Sequence, residues 1–116
     1  MEKIVVRGGN PLFGNVEISG MKNAAVAVIL SSILIEDRCV LENLPNISDV
    51  TISLDILRAM GASVRRLNPT TVEIDTTAIM GGTAPYDLVR KMRASYYVLG
   101  AELGRFGRAS AGFPGG

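Results

Sequence analysis

A short strand, a turn and an apolar helix follow one another near the start of the chain. Residues 16–18 alternate apolar and acidic side chains, which predicts a half-buried strand, and Gly20 permits a sharp turn after it. The next segment, from about Asn23 to Leu34, is apolar on nearly every side of a helix, whereas a surface helix keeps a polar stripe. We therefore expect a helix that is buried on most of its sides, inside a body larger than an isolated small domain.

Two polar residues, Lys22 and Asn23, stand at the junction between this strand and this helix. The first N–H groups of a helix have no partner within it, and the helix dipole favours an anion there. Lys22 adds a full positive charge, and Asn23 adds an amide that both donates and accepts hydrogen bonds. This pattern predicts a site for a phosphate or a carboxylate. The alternative is a solvent-exposed lysine beside an asparagine that caps the helix.

The composition limits the kinds of function open to the chain. Its 116 residues are enough for about one domain, and a net charge of +1 with three Phe, three Tyr and no Trp argues against a nucleic-acid-binding protein. Without histidine the chain has no His-based triad and no His-ligated metal, and one cysteine is too few for a zinc site or an internal disulfide. The single Cys39 lies in an apolar strand, so we interpret it as a small buried side chain rather than a nucleophile.

The chain carries no pattern of a membrane or secreted protein. The apolar run Ala24–Ile35 is shorter than the ~20 residues that span a bilayer, and the first residues lack the pattern of a signal peptide. We therefore expect a cytoplasmic protein. The last residues, 112–116, have the composition of a loop, and we expect them to lie within a longer chain.

Strands and helices alternate along the chain. A second helix is expected to start at a cap from Ser48 or Asp49 and to end at Gly61. This alternation indicates an α/β or α+β body with helices packed on a sheet. The expected strands are 4–6, 16–18, 39–41, 64–67, 71–75 and 109–111.

The third helix carries two faces of different character. It is expected to start at a cap from Thr83 or Asp87 and to run to about Leu103. Two arginines, Arg90 and Arg93, lie beside its apolar face and can hold a phosphate or a carboxylate, and Arg93 lies nearer to the core boundary. The alternative is a helix face that is simply solvated. The expected apolar face is Leu88, Met92, Tyr96, Leu99 and Leu103, and the neighbouring stripe is Tyr86, Arg90, Arg93 and Tyr97.

Four segments together resemble one family. On these segments the chain is similar to the UDP-N-acetylglucosamine 1-carboxyvinyltransferases, also called enolpyruvyl-UDP-N-acetylglucosamine synthases, and the similarity runs from about Val6 to Gly116. The related enolpyruvyl transferases of the shikimate pathway are a weaker match because their lysine turn differs. The segments are Ile18-Ser19-Gly20-Met21-Lys22-Asn23-Ala24-Ala25, Asn43-Leu44-Pro45, Ala84-Pro85-Tyr86-Asp87-Leu88-Val89 and Met92-Arg93-Ala94-Ser95.

The resemblance implies a fold and a reaction. The fold is an inside-out α/β barrel of two lobes built from repeated βαβαββ units. Residues 1–21 would belong to the first lobe, and residues 22–116 would form one unit of the second lobe and the start of the next, ending in the catalytic loop. The reaction transfers the enolpyruvyl group of phosphoenolpyruvate to the 3-hydroxyl of UDP-N-acetylglucosamine and releases phosphate, as the first committed step of peptidoglycan synthesis. The family needs no metal or organic cofactor.

The resemblance also assigns roles to residues. Lys22 and Asn23 match positions that contact phosphoenolpyruvate, and Arg93 matches an arginine that contacts substrate phosphate groups between the lobes. A lysine and an arginine together suit a small substrate that carries both a phosphate and a carboxylate. The family's catalytic loop reads Pro-Gly-Gly-Cys, and this chain ends with Pro114-Gly115-Gly116. The expected cysteine would follow Gly116, so no catalytic residue is expected within the chain.

We therefore expect the N-terminal part of an enolpyruvyl transferase, whose partner is the remaining C-terminal part of the same enzyme and which is inactive alone. The alternative that the sequence leaves open is a non-catalytic anion-binding or structural α/β module. Neither interpretation involves nucleic acid or a membrane.

Overall fold

The computed structural model describes residues 2–82, 84–92 and 95–110. Its helices are α1 (Lys22–Ser31, continued by a 3-10 turn at Ser32–Leu34), α2 (Ser48–Met60), α3 (Tyr86–Lys91) and α4 (Ser95–Phe106). Its strands are β1 (Arg38–Leu41), β2 (Ser63–Asn68) and β3 (Thr71–Asp75). The predicted mixed α/β class is thereby confirmed. No helix in the described part of the chain is long and apolar enough to cross a membrane.

The three strands form one antiparallel sheet in the order β1-β3-β2. β2 and β3, two of the expected strands, form a hairpin, and β1 pairs with the other side of β3, where Cys39 lies opposite Ile74. Alternation along β3 buries Val72 and Ile74 completely and turns Glu73 outward, toward Arg65 of β2. One face of the sheet therefore faces the helices, and the other face carries charge.

The hydrophobic core lies between the inner face of the sheet and the helices. The prediction that α1 is buried holds for the side of the helix that faces this core. On its other side Val28 is 49% exposed and Leu34 is 50% exposed, which leaves apolar surface open to further packing. The buried side chains of the first two helices are Ala25, Val26, Ile29 and Leu30 of α1, and Val50, Ser53, Leu54, Ile56, Leu57 and Met60 of α2.

The end of α2 follows the prediction, but its start does not. Gly61 ends the helix in the left-handed conformation, at φ 114°, and donates its N–H to the Arg58 carbonyl at 3.1 Å. At the start, Ile47 occupies the cap position, and neither Ser48 nor Asp49 caps the helix with its side chain. The predicted cap is wrong because both residues already lie inside the first turn.

The predicted third helix is in fact two helices. α3 ends at Lys91, Met92 has left the helical conformation with φ −118° and ψ 14°, and α4 starts at Ser95. α4 then continues past Gly104, and its last residue is Phe106. A continuous helical spacing across residues 86–103 is therefore wrong, since Met92 interrupts the helix.

The start of α3 differs from the prediction. The cap position of α3 is Pro85, so Asp87 lies inside the first turn and does not cap, and Thr83 lies outside the described residues.

The break between α3 and α4 determines which side of α4 is buried. The buried residues of α4 are Ser95, Val98, Ala101 and Glu102. Three residues expected in the core are exposed instead: Tyr96, Leu99 and Leu103.

The predicted strands at residues 4–6 and 16–18 are not formed. Residues 2–21 contain no helix or strand, and their apolar side chains are exposed, with Ile4 at 92% and Ile18 at 87%. The radius of gyration is accordingly 17.0 Å, compared with about 13 Å for a compact chain of this length. An alternating pattern identifies the side chains that a strand would bury. The strand itself forms only where another strand provides hydrogen-bond partners for its backbone. Ala109 and Ser110 also form no strand, and Ala111 lies outside the described residues.

Arg105 links the end of α4 to the rest of the fold by hydrogen bonds. Only 6% of its side chain is exposed. Its guanidinium donates hydrogen bonds to the carbonyl oxygens of Ile33 at 3.1 Å, Thr76 at 2.6 Å and Thr77 at 3.2 Å. The guanidinium carbon also lies 5.1 Å from the centre of the Phe106 ring. One charged side chain thus joins α4, the 3-10 turn and the segment after β3.

Candidate functional site

Lys22 and Asn23 are the first two residues of α1. The residue before them, Met21, has extended backbone, and the first intrahelical hydrogen bond runs from the Ala25 N–H to the Met21 carbonyl at 2.9 Å. The N–H groups of Lys22, Asn23 and Ala24 therefore have no partner within the helix and lie at its positive end. Both predicted side chains are exposed. The alternative in which Asn23 caps the helix is wrong, because Met21 holds the cap position.

The Lys22 side chain is paired with Asp49, which lies in the first turn of α2. The Nζ atom of Lys22 is 2.9 Å from Oδ2 of Asp49, and the lysine side chain remains 60% exposed. An exposed pair of this kind contributes about 0–1 kcal/mol, so it orients the lysine and still leaves it able to contact an anion. Sequence reasoning missed this role of Asp49, because no local pattern connects two helix starts that meet only through the packing of α1 on α2.

The turn before α1 lies directly against a second segment of the sequence. A Cβ atom built on Gly20 would fall on the carbonyl oxygen of Asn43, so this close approach requires glycine. Asn43 itself has a left-handed backbone, with φ 57°, and the next residue, Leu44, donates its N–H to the Thr70 carbonyl at 2.9 Å. Two of the segments that carry the family resemblance are therefore in contact.

Two hollows border this junction. One, of about 220 Å³, lies between the start of α1 and the end of β1, and its lining includes Met21, Ala24 and Leu41. The other, of about 740 Å³, lies between residues 17–19 and the loop 42–46. Neither Lys22 nor Asn23 is among the described residues that line these hollows. The predicted anion site therefore lies on the open surface at the start of α1, beside the two hollows.

α2 connects this junction to the segment that contains Arg93. Ser53 lies one turn after Asp49, and its Oγ is 2.7 Å from the Asp49 carbonyl oxygen and 3.6 Å from the sulfur of Met92. Ser53 is fully buried, so this contact is part of the core. Arg93 follows Met92 in the chain but lies outside the described residues. The helix that orients Lys22 therefore also contacts the residue that directly precedes Arg93.

The predicted stripe on the third helix is present only in its first half. The guanidinium carbon of Arg90 lies 5.7 Å from the centre of the Tyr86 ring, on the surface of α3. Tyr97 belongs to α4, beyond the break, and is 47% exposed. A single continuous stripe is therefore wrong, and Arg90 takes part in a local contact on α3.

The cysteine has the environment of a packing residue. Cys39 is half-buried in β1, and burial raises the pKa of its thiol, which keeps it protonated near neutral pH. Within the described ranges, no group of three or more His, Cys, Asp or Glu residues is placed to hold a metal ion.

Glu102 is a fully buried carboxyl group on α4, and burial raises its pKa, an effect that the backbone N–H of Gly82 only partly offsets. When folding raises the pKa of a carboxyl group, that group leaves the free energy of unfolding unchanged at pH values below its unfolded pKa of about 4.3. The free energy of unfolding then falls as the pH rises through the pKa of the folded state. We therefore expect Glu102→Gln to be as stable as the wild type near about pH 4 and more stable near about pH 7. Urea denaturation of both proteins at the two pH values tests this, and a stability difference that does not change with pH would contradict it.

Comparison with known proteins decides the family. The family model for EPSP synthase (3-phosphoshikimate 1-carboxyvinyltransferase) matches residues 6–116. The chain belongs to the EPSP synthase family. The resemblance carried by the four sequence segments is thereby confirmed at the level of the family.

Two named relatives indicate which members of this family the chain is similar to. The chain is 49% identical to a UDP-N-acetylglucosamine 1-carboxyvinyltransferase of Clostridium botulinum, over all of this chain and 28% of the relative. It is 47% identical to UDP-N-acetylglucosamine 1-carboxyvinyltransferase 2 of Listeria monocytogenes, over 99% of this chain and 27% of that protein. The chain thus spans just over a quarter of the length of these curated relatives.

A solved structure of an enolpyruvyl transferase has the same fold over most of this chain. The enolpyruvyl transferase NikO from Streptomyces tendae superimposes with a TM-score of 0.71 and 32% sequence identity, over 86% of this chain and 23% of that chain. The predicted fold type is therefore confirmed for the part of the chain that is covered.

Proposed function

We propose that the protein to which this chain belongs transfers the enolpyruvyl group of phosphoenolpyruvate to the 3-hydroxyl of UDP-N-acetylglucosamine. The observation that carries the proposal is the match of the whole chain, at 49% identity, to a relative with the corresponding name. The turn with Lys22 and Asn23 lies inside that match. The product is the first committed precursor of peptidoglycan, so we place the protein in the cytoplasm, in cell-wall synthesis and thereby in the maintenance of cell shape and division.

Lys22 and Asn23 are proposed to bind phosphoenolpyruvate. The start of α1 offers unpartnered N–H groups and a helix dipole, and Lys22 adds a full charge that remains accessible. A substrate phosphate brings more negative charge than Asp49, so it can take over the ammonium group from that carboxylate or share it. Asp49 then serves as a positioning residue, which holds the lysine near its working place before the substrate arrives.

Arg93 is proposed to contact substrate phosphate groups on the other side of the same site. The support is indirect and comes from α2, which contacts Lys22 through Asp49 and Met92 through Ser53. A guanidinium binds phosphate oxygens in a bidentate manner, so an arginine and a lysine together neutralise and orient a small dianion.

The rest of the enzyme is proposed to be the partner of this chain. Residues 1–21 are assigned to the first lobe and residues 22–116 to the second, and the exposed apolar residues of the N-terminal segment support this division. Val28 on α1, Leu34 on the 3-10 turn and Leu103 on α4 leave a further apolar surface for the remainder of the second lobe to cover. The catalytic cysteine belongs to that remainder in this proposal, and no metal or organic cofactor takes part.

A chimera tests the proposed reaction. The matching N-terminal segment of the Clostridium botulinum relative is replaced by this chain, and phosphate release is followed with the unmodified relative as the control. We expect release from phosphoenolpyruvate when UDP-N-acetylglucosamine is present and none when shikimate 3-phosphate is offered instead. A folded chimera that releases no phosphate would favour a non-catalytic anion-binding or structural module and contradict the proposal.

The role of Asp49 leads to a kinetic prediction. In the chimera, Asp49→Asn is expected to lower kcat about tenfold, because misplacement of a positioned group costs up to ~10²-fold in rate. The KM for phosphoenolpyruvate should stay the same or fall, because a negative charge that opposes the anion has been removed. Steady-state kinetics separate the two constants, and a raised KM with unchanged kcat would show that Asp49 does not position Lys22.

A further inference from the structure

The turn before α1 lies directly on the loop after β1, at residues 43–45. A side chain on Gly20 would overlap the carbonyl oxygen of Asn43, and its Cβ atom would also come within 3.1 Å of the Cδ atom of Pro45. Only a residue without a Cβ atom lets two stretches of backbone come this close. The contact therefore fixes how the turn lies on the loop.

The loop side of this contact is held in place. Leu44 and Pro45 are buried, and the N–H of Leu44 donates to the carbonyl oxygen of Thr70 at 2.9 Å. Asn43 has a left-handed backbone, with φ 57°, a conformation that few residues other than glycine, asparagine and aspartate adopt. A group that pressed against the Asn43 carbonyl would therefore displace the turn rather than the loop.

The turn side of the contact has less support. Residues 2–21 contain no helix or strand, and only Met21 separates Gly20 from Lys22, the first residue of α1. A displacement of Gly20 is therefore passed through the cap residue to Lys22 and to the unpartnered N–H groups beside it. The exposed pair of Lys22 with Asp49 is too weak to correct such a shift.

We propose that Gly20 and the backbone carbonyl of Asn43 position the anion site at the start of α1. Their contact sets the place of the turn, and the turn sets the place of the Lys22 ammonium group relative to the helix N–H groups. Both are positioning residues, which act through Lys22 and do not touch the substrate. This inference rests on the proposed function, because the anion that the site serves is phosphoenolpyruvate.

Gly20→Ala in the chimera tests the contact. The added methyl group meets the Asn43 carbonyl, so kcat/KM for phosphoenolpyruvate should fall about tenfold to hundredfold, the cost of a small misplacement of a working group. Gly8→Ala is the matched control, because a Cβ atom at Gly8 would meet nothing within 4 Å. It should leave kcat/KM within about twofold of the unsubstituted chimera.

A double-mutant cycle with Lys22→Ala separates positioning from general damage to the fold. If Gly20→Ala acts by misplacing Lys22, it should lower kcat/KM by no more than about threefold once the lysine has been removed, since the two effects are then coupled. A substitution that merely destabilised the fold would lower kcat/KM by the same factor in both backgrounds.

Two substitutions of Asn43 test the other side of the contact and serve if Gly20→Ala does not fold. Asn43→Gly keeps the left-handed backbone and the carbonyl, so kcat/KM should stay within about twofold. Asn43→Val places a β-branched residue at φ 57°, which forces the carbonyl to move, and it should lower kcat/KM at least about tenfold.

The outcomes distinguish this inference from the proposed function. An unsubstituted chimera without activity would overturn both. An active chimera would overturn the inference alone in either of two cases: if Gly20→Ala and Asn43→Val kept its kcat/KM, or if they lowered kcat/KM equally with and without Lys22.

Discussion

Arg105→Ala is expected to lower the free energy of unfolding by about 3–5 kcal/mol, because a hydrogen bond to a charged group contributes about 1.5–3 kcal/mol and the two that Arg105 donates to Ile33 and Thr76 are partly buried. The substitution leaves the carbonyl oxygens of Ile33, Thr76 and Thr77 without their donor. Each buried carbonyl that loses its partner costs about 1–3 kcal/mol, and the packing of the aliphatic stem on the core is lost as well. Chemical denaturation of the variant and the wild type measures the difference.

Two further variants separate the hydrogen bonds of Arg105 from its charge. Arg105→Lys keeps the charge but lacks the planar fork of donors, so its stability should lie between those of the wild type and Arg105→Ala. Arg65→Ala removes an exposed arginine that pairs with Glu73 at 3.4 Å on the sheet surface, and it should cost at most about 1 kcal/mol. If Arg105→Ala lowered the free energy of unfolding no more than Arg65→Ala does, Arg105 would not be the main side chain that holds α4 on the rest of the fold.

Lys22→Ala is expected to lower kcat/KM for phosphoenolpyruvate by about 10²- to 10³-fold in the chimera, a loss typical for a group that stabilises developing charge. The physical reason is the loss of the full positive charge at the start of α1, where the helix N–H groups alone must then hold the anion. The expected effect on stability is small, because the Lys22–Asp49 pair is exposed.

The controls for Lys22 are chosen for charge and position. Lys22→Arg keeps the charge and should retain more activity than Lys22→Ala. Lys3→Ala removes an exposed lysine that lies outside α1 and should leave kcat/KM unchanged within about twofold. Wild-type kinetics in Lys22→Ala would remove this residue from the proposed site.

Elements that depend on local chemistry could be predicted from the sequence. The hairpin follows from alternation on both sides of Asn68-Pro69-Thr70, and the end of α2 follows from Gly61, whose φ of 114° suits glycine. The start of α1 also follows from its neighbourhood, because Gly20 and a polar pair precede a long apolar run. In each case, the residues that decide the structure are close together in the chain.

Features that depend on tertiary contacts could not be predicted in this way. The pairing of Lys22 with Asp49 needs α1 to pack on α2, and the burial of Glu102 needs the turn at Gly81 and Gly82 to lie against α4. The apolar residues of 16–18 have the pattern of a strand, but no strand pairs with them in the described chain. A periodic pattern records which side chains favour burial, while the partner that buries them is determined elsewhere.

The break between α3 and α4 shows the same limit within a single pattern. Leu88, Tyr96 and Leu103 fit one helical spacing, yet the chain turns after Lys91, so that Tyr96 and Leu103 are exposed while Glu102 is buried. Sequence reasoning gave Glu102 no role, because a glutamate on a helix is ordinarily solvated. Its burial became visible only from the arrangement of the elements around it.

The most direct test of the proposed function is the identity of the product that the chimera makes. Phosphoenolpyruvate and UDP-N-acetylglucosamine are mixed with the chimera, and the sugar nucleotide is analysed by mass spectrometry while phosphate is measured in parallel. The proposed function predicts one new sugar nucleotide in which an enolpyruvyl group replaces the hydrogen of one hydroxyl, formed in equal amount to phosphate. An unmodified sugar nucleotide, under conditions in which the Clostridium botulinum relative converts it, would contradict the proposed function.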